Sequence, residues 1–414
     1  MKKIQLISTL AIGLLVIDSC TEELSSSNNE AEVTTIQTYS INSTSQKTSY
    51  GNYAEISAPK STEDFYGQDA QNETKSMVFK DNGDGTITDL NTGLTWIKAR
   101  GNKIGWEDAV SAAKTCNTGG YTDWRMPTIK ELYSIINFNG HSGFSAETST
   151  PYIDTKYFEI AFGNTNAGER LIDAQDWSAT EYVGTTMHND ATVFGFNFID
   201  GRIKGYPKYK PGTTTPHTLY VRYVRGNMLY GKNNFIDNGD KTISDKATGL
   251  MWSKDDSGTG MNWKDALTWV QQKNNEKYLG FSDWRLPNAK ELQSIVDYSR
   301  APDVTNSAAI DPVFNCTKIS NEGGSVDYPY YWTSTTHLEG ITSGQMAIYI
   351  CFGRGLGFMT PPYGGTASLL DVHGAGCQRS DFKSGSESDY PSGHGPQGDV
   401  VRILNYIRLV RTTK

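Results

Sequence analysis

With 414 residues, the chain is long enough for two or three domains, and its formal net charge is -8 with 20% charged residues. Phosphate binding needs clustered Lys and Arg, so this balance excludes general affinity for nucleic acid. The 23 Tyr, 9 Trp and 41 Gly, set among many Asn, Ser and Thr, predict short strands, frequent turns and a surface whose adhesive patches are aromatic and polar.

The chain opens with Met1-Lys2-Lys3 and an apolar run from Leu10 to Ile17, a basic region followed by a hydrophobic region too short to span a membrane. This pattern is a secretion signal over residues 1–19. It ends at Ser19-Cys20 and resembles a bacterial lipoprotein signal, which implies that Cys20 becomes the lipidated first residue. The alternative is a plain secretory signal with a free thiol at Cys20. Thr21-Glu22-Glu23 resembles the export tag of surface lipoproteins, so the expected location is the outer membrane, exposed at the cell surface. From residue 20 to 75 the sequence is polar and aperiodic, which predicts a disordered tether.

The first folded module is expected over residues 76–228. Phe79 to Asp89 carries Asn82-Gly83 between β-prone flanks and reads as a hairpin, because its carboxylates do not fall in the register of a calcium loop. Trp96 follows in Thr92-Gly93-Leu94-Thr95-Trp96. Trp106, Ala109, Val110 and Ala113 then share one helical face. Asp123-Trp124-Arg125-Met126-Pro127-Thr128-Ile129-Lys130-Glu131-Leu132 is a helix start in which Thr128 caps the helix and Glu131 closes a capping box. Trp124 is expected in the core, with Arg125 paired as a staple of the fold; a ligand contact is the alternative role for this arginine. Strands follow around Trp177, over Phe196–Arg202 and over Tyr220–Arg225.

The second module, over residues 233–414, repeats this order. Asp237-Asn238-Gly239-Asp240 makes the hairpin, Trp252 follows it, Trp263 to Val270 makes the helix capped by Asn262, and Asp283 to Leu292 makes the capped start with Trp284, Arg285 and Glu291. Trp332 matches Trp177, Ile348–Arg354 matches Phe196–Arg202, and Tyr406–Arg411 matches Tyr220–Arg225. Eight of the nine tryptophans thus fall into four equivalent pairs, with Trp269 alone unpaired. Two copies, each this long, predict two self-sufficient domains rather than a solenoid.

With the hairpin, the Asp-Trp-Arg helix start and the closing Val-Arg strand in both copies, residues 78–226 and 235–412 resemble the Legionella collagen-like protein C-terminal (Lcl C-terminal) domain. That family resembles a branch of the C-type-lectin-like fold. The resemblance implies an α+β fold: two tandem domains, each with two helices around a small, mostly antiparallel sheet whose first and last strands lie side by side. Many relatives pair a cysteine at the place of Cys116 with one in the closing strand, where this chain has Tyr223. The calcium-binding sugar motifs of C-type lectins are missing, so the resemblance does not extend to a calcium-bridged site.

Several side chains are candidates for contact with a ligand. An insertion over residues 360–399, peculiar to the second copy, carries His373, Cys377, Arg379, His394 and Asp399. It reads as either an ordered binding loop or a disordered one. No pair among His373, Cys377, His394 and Asp399 has a standard metal-ligand spacing, so neither a metal nor any other cofactor is expected. In the first copy Arg202, Lys204 and Tyr206 share one strand face, which suits an acidic glycan; a charged, solvated edge strand is the alternative. A disulfide is expected between two of Cys316, Cys351 and Cys377. No nucleophile motif or phosphate loop is present. The expectation is therefore a non-enzymatic adhesin or binding lipoprotein, held to the membrane by its lipid, that recognises an extracellular glycan or protein. The alternatives are an enzyme distantly related to formylglycine-generating enzymes, which share the fold and a similar Arg-Leu-Pro-Thr helix start, and a scaffold subunit of a surface assembly. The sequence does not fix the oligomeric state.

Overall fold

The computed structural model describes residues 38–72, 74–340, 344–360 and 365–413. The signal over 1–19, Cys20 and the first part of the expected tether lie outside them. Module one runs through β1 (Phe79–Asp81), β2 (Thr86–Asp89), β3 (Leu94–Ile97), α1 (Trp106–Ala113), α2 (Ile129–Ser134), β4 (Gln175–Thr186), β5 (Asp190–Asn197), β6 (Arg202–Pro207) and β7 (Val224–Gly226). Module two repeats the order with β8 (Phe235–Asp237), β9 (Thr242–Asp245), β10 (Leu250–Ser253), α3 (Trp263–Asn275), α4 (Ala289–Ser294), β11 (Tyr330–His337) and β12 (Met346–Cys351). It then adds β13 (Leu356–Met359), β14 (Ser368–Asp371) and β15 (Gln378–Phe382) before the closing β16 (Val410–Thr412). The result is an α+β architecture with antiparallel sheets.

The local signals act as their chemistry dictates. In the β1–β2 turn Asp84 Oδ1 accepts from the Thr86 N–H at 3.0 Å and from the Thr86 hydroxyl at 2.6 Å. Asp240 does the same with Thr242. These carboxylates close hairpins. At α2, Thr128 and Glu131 form a complete capping box, and at α4 Asn288 and Glu291 form another. The same glutamates receive the arginine forks: Arg125 Nη1 and Nη2 lie 2.6 and 2.5 Å from the Glu131 oxygens, and Arg285 grips Glu291 likewise. One carboxylate therefore caps a helix and anchors an arginine, which is the staple expected of Arg125 and Arg285.

The tryptophans hold equivalent places in the two halves. Trp106 and Trp263 donate their indole N–H to Ser178 O and Thr333 O at 2.9 and 2.8 Å. Trp177 and Trp332 donate to Ile104 O and Met261 O, and Trp124 and Trp284 to Thr118 O and Tyr278 O. Trp96 and Trp252 are wholly buried at the centre of each small sheet. In those sheets the order is β1-β2-β3-β7 and β8-β9-β10-β16. The closing strand thus lies beside the third strand, not the first as expected, because the first strand is the outer arm of the hairpin. Arg222 and Arg408 lock each closure, donating to Ile97 O and Lys98 O in module one and to Ser253 O and Lys254 O in module two.

Three expectations are corrected. The modules are not self-sufficient: β4, β5 and β6 continue through β15 into β12 and β11 as one six-stranded sheet, with Ile203 opposite Gln378 at the junction. One apolar core runs through both, from Trp96, Ile129 and Phe196 to Trp252, Leu292 and Ile348, and the described residues fall within one compact unit. The reason lies in the insertion. The stretch of module two that corresponds to β6 is β13, which turns away to pair with β14, and inserted β15 takes the vacated place beside β12 and meets β6. The insertion is thus ordered over 365–399 and works as the seam.

The second correction concerns the tether. Residues 38–72 pack into the molecule: Asn42, Ser43, Thr44, Gln46, Gln68 and Asp69 are buried. Their polar side chains and backbone find partners in both modules, so burial is offset by hydrogen bonds rather than by apolar contact. Such a segment carries no apolar periodicity to mark it as part of the fold. The third is one of register. Trp177 stands opposite Gly195 and Trp332 opposite Tyr349, and Phe198 O and Phe352 O accept equivalent backbone bonds from Tyr152 and Ala309. Four residues follow the strand in each module, 198–201 after β5 and 352–355 after β12, so Asp200 corresponds to Arg354 and Arg202 to Leu356, two places along from the match expected.

Candidate functional site at the module seam

Where β6 meets β15, the turn before β6, the end of β11 and the end of the insertion enclose a cleft of about 490 Å³. Arg202 and Lys204 reach it from β6, Arg379 from β15, and His394 and Asp399 from the insertion, so five of the seven sequence candidates converge. Arg170, Asp200 and Glu339 complete its charged lining, and Phe144, 78% exposed, stands at its rim.

Every carboxylate in the lining is paired. Arg202 Nη2 donates to Glu339 Oε2 at 2.5 Å and to Ser380 Oγ at 2.8 Å. Lys204 Nζ lies 3.2 Å from Asp200 Oδ2. Arg379 forks onto Asp399 Oδ2 through Nε and Nη2, while His373 Nε2 donates to Asp399 Oδ1 at 2.7 Å. Burial opposes ionisation of Glu339, yet Arg202 outweighs it and holds the acid at about 2. The same contest, with Arg379 and His373 against burial, leaves Asp399 well below the usual carboxylate range. Burial lowers Lys204 to about 8, with Asp200 partly restoring it, and burial holds His373 and His337 at about 4, so both imidazoles are neutral at pH 7. Arg379 Nη1, Arg202 Nε and Asp200 Oδ1 are buried without a hydrogen-bond partner among the described residues. This is a wall of fixed polar groups with donor and acceptor capacity to spare.

Two candidates take other places. His373 is beneath the cleft, fully buried and used to orient Asp399. Tyr206 shares the face of Arg202 and Lys204 as its spacing predicts, but it packs edge-on against Trp177 and near His217 in the core and offers no ring for stacking. The edge-strand alternative for β6 also falls, since β15 covers that edge. His373, Cys377, His394 and Asp399 do not converge as ligands, and no cluster of three His, Cys, Asp or Glu able to hold a metal occurs among the described residues. Cys377 Sγ lies 3.1 Å from Cys351 Sγ instead, both as thiols, so the expected disulfide is not formed; Cys316 contacts the Tyr331 hydroxyl at 3.1 Å. Burial pushes the Cys351 thiol far above its ordinary value, and both sulfurs are buried in the core.

The sequence profile of the Lcl C-terminal domain matches residues 85–225 and again 241–364, well over half of the chain. The chain belongs to the Lcl C-terminal domain family. Its two Lcl C-terminal domains lie in tandem, and the second match ends at residue 364, at the point where the seam-forming part of the insertion begins. No curated protein and no solved structure matches the chain. Arg170, Glu339 and Phe144 escaped the sequence reading. Each comes from a loop or strand end far away in the chain, and no local spacing marks it.

Proposed function

We propose that this tandem Lcl C-terminal protein is a non-enzymatic binding lipoprotein of the bacterial cell surface, C-type-lectin-like in fold, lipidated at Cys20, that holds an extracellular glycan in the seam cleft. The observation that carries the reading is the cleft itself: a polar wall of arginines and carboxylates fixed by mutual pairing, with unpaired donors at its back and one exposed aromatic ring at its rim. Saccharides are recognised by that combination of planar, pre-oriented polar groups and a ring face. Fixed ion pairs lose little freedom on binding, which favours a polar ligand over an apolar one.

The test is a glycan array probed with the intact chain, followed by titration calorimetry with the best binder against Phe144→Ala and Arg170→Gln. Both side chains are largely exposed, so the fold is expected to stay intact. Loss of the ring is expected to weaken binding about tenfold, ~1.4 kcal/mol. An array without signal, or affinities unmoved by both substitutions, would contradict the reading.

A further inference from the structure

The two modules meet also through α2 and α4, and they do so reciprocally. Lys130 at the start of α2 donates to Ser294 O at the end of α4, at 2.6 Å, and Lys290 donates to Ser134 O at the end of α2, at 2.8 Å. This exchange creates two grooves from equivalent parts. One runs between the Lys290 side of module two and residues 138–139 of module one; the other runs between the Lys130 side of module one and residues 298–299 of module two.

The first groove is filled by the chain's own strap, residues 42–46 with Asp69. The Phe138 N–H donates to Thr44 O at 2.7 Å, Asn139 Nδ2 to Ser45 O at 2.5 Å, and Lys290 Nζ to Ser43 O at 2.9 Å. The Thr335 hydroxyl accepts from the Ala289 N–H at 3.0 Å and donates to Asp69 Oδ2 at 2.5 Å.

The second groove is a cleft of about 510 Å³. Its groups match position by position. Thr180 stands for Thr335 and accepts from the Ile129 N–H at 2.9 Å, but among the described residues nothing accepts from its hydroxyl. Tyr298 stands for Phe138, and its N–H has no acceptor among the described residues. Ser299 stands for Asn139 and is exposed. Only the lysine is served as before, by Gly231 O at 3.2 Å and Asn233 Oδ1 at 3.0 Å. A carbonyl acceptor and a carboxylate acceptor are thus present in one groove, while the donors that would meet them stand open in the other.

We propose that the Thr180–Tyr298 groove is a peptide-binding site for a non-helical, hydroxyl-rich segment bearing one carboxylate, the chemistry of the strap that fills its counterpart. Backbone carbonyls of the peptide meet the Tyr298 N–H, and the carboxylate meets the Thr180 hydroxyl. This site is separate from the seam cleft and does not depend on what that cleft holds.

The probes are two synthetic peptides with acetylated N-termini and amidated C-termini: residues 40–47 of this chain, Ser-Ile-Asn-Ser-Thr-Ser-Gln-Lys, and the same peptide with Thr44→Asp, which alone carries a carboxylate. Titrated against the intact protein by fluorescence anisotropy, both are expected to bind saturably at one site, the acidic one about tenfold tighter. Ser299→Asn, which restores the amide that Asn139 supplies, is expected to tighten both several-fold, and Ser299→Trp to abolish both with an unchanged unfolding midpoint. Thr180→Val is expected to remove the preference for the acidic peptide while retaining binding of the other, with Thr180→Ser keeping the preference. No saturable binding of either peptide, or binding indifferent to Ser299→Trp, would overturn the proposal. So would a concentration-dependent dimer that Ser299→Trp dissolves, since the occupant would then be a second copy of the chain.

Discussion

The two Lcl C-terminal modules use the same framework and differ in their edges. Trp96 and Trp252, the Arg125–Glu131 and Arg285–Glu291 forks and the closing arginines Arg222 and Arg408 stand in equivalent places. Module one ends its long hairpin in β6, whose far edge would lie open, whereas module two sends the corresponding β13 away and supplies β15 to cover that edge. The packed framework is the same in both halves, and the parts in which they differ are those that join them and form the cleft at the seam.

The largest effects test the equivalence itself. Trp96→Ala and Trp252→Ala each empty a fully buried site and are expected to cost about 3–5 kcal/mol in urea unfolding, by similar amounts because the two rings belong to one core. A large cost in one module with none in the other would break the comparison. Next come Glu131→Gln and Glu291→Gln. Each leaves an arginine without its carboxylate and weakens a helix cap, and each is expected to cost about 3 kcal/mol by the same measurement.

The third prediction sharpens the contrast between the filled and the open groove. Burial raises the Asp69 carboxyl to about 6 against hydrogen bonds from Thr335 and Thr44 that lower it. A carboxyl raised above its unfolded value binds its proton more tightly in the folded chain, so its contribution is present below about pH 4 and lost as pH rises through about 6. Asp69→Asn is expected to remove that loss, so the difference in stability between the two proteins, followed by thermal unfolding from pH 4 to 7, should change across this window. A constant difference would detach Asp69 from the groove. The smallest effect concerns the two hairpins. Lys241 has φ 69° where module one has Gly85 at φ 84°. Lys241→Gly is expected to stabilise module two by roughly 0.5–1 kcal/mol, the cost of a left-handed side-chain-bearing residue less the added freedom of glycine in the unfolded chain. Thermal unfolding reads it, and a destabilisation would show that the Lys241 side chain contributes more than its backbone costs.

The parts of this fold that were legible in the sequence are those fixed by neighbours in the chain. Thr128 and Glu131, or Asn288 and Glu291, need only a spacing of three to declare a capping box, and the tryptophan pairs need only a repeated order. The parts that were hidden depend on distant partners. Nothing near Gln378 announces that it will face Ile203, and nothing in Ser43-Thr44-Ser45-Gln46 distinguishes a strap that hydrogen-bonds into a groove from a solvated linker. The candidate site was legible in part for the same reason. Arg202, Lys204, Arg379, His394 and Asp399 drew attention as charged residues in unusual stretches, and the structure gathers them; Phe144, Arg170 and Glu339 reach the cleft only because the seam exists. Tyr206 shows the limit of strand alternation, which places a side chain on a face but does not say what covers that face.

In this protein two modules form one body. Hydrogen exchange followed by mass spectrometry across a urea series tests it most directly, by reading amides of β2 and β3 in module one and of β9 and β10 in module two. A shared core and a continuous sheet predict one midpoint for both sets. Two well-separated midpoints, with one module protected while the other is open, would contradict the account.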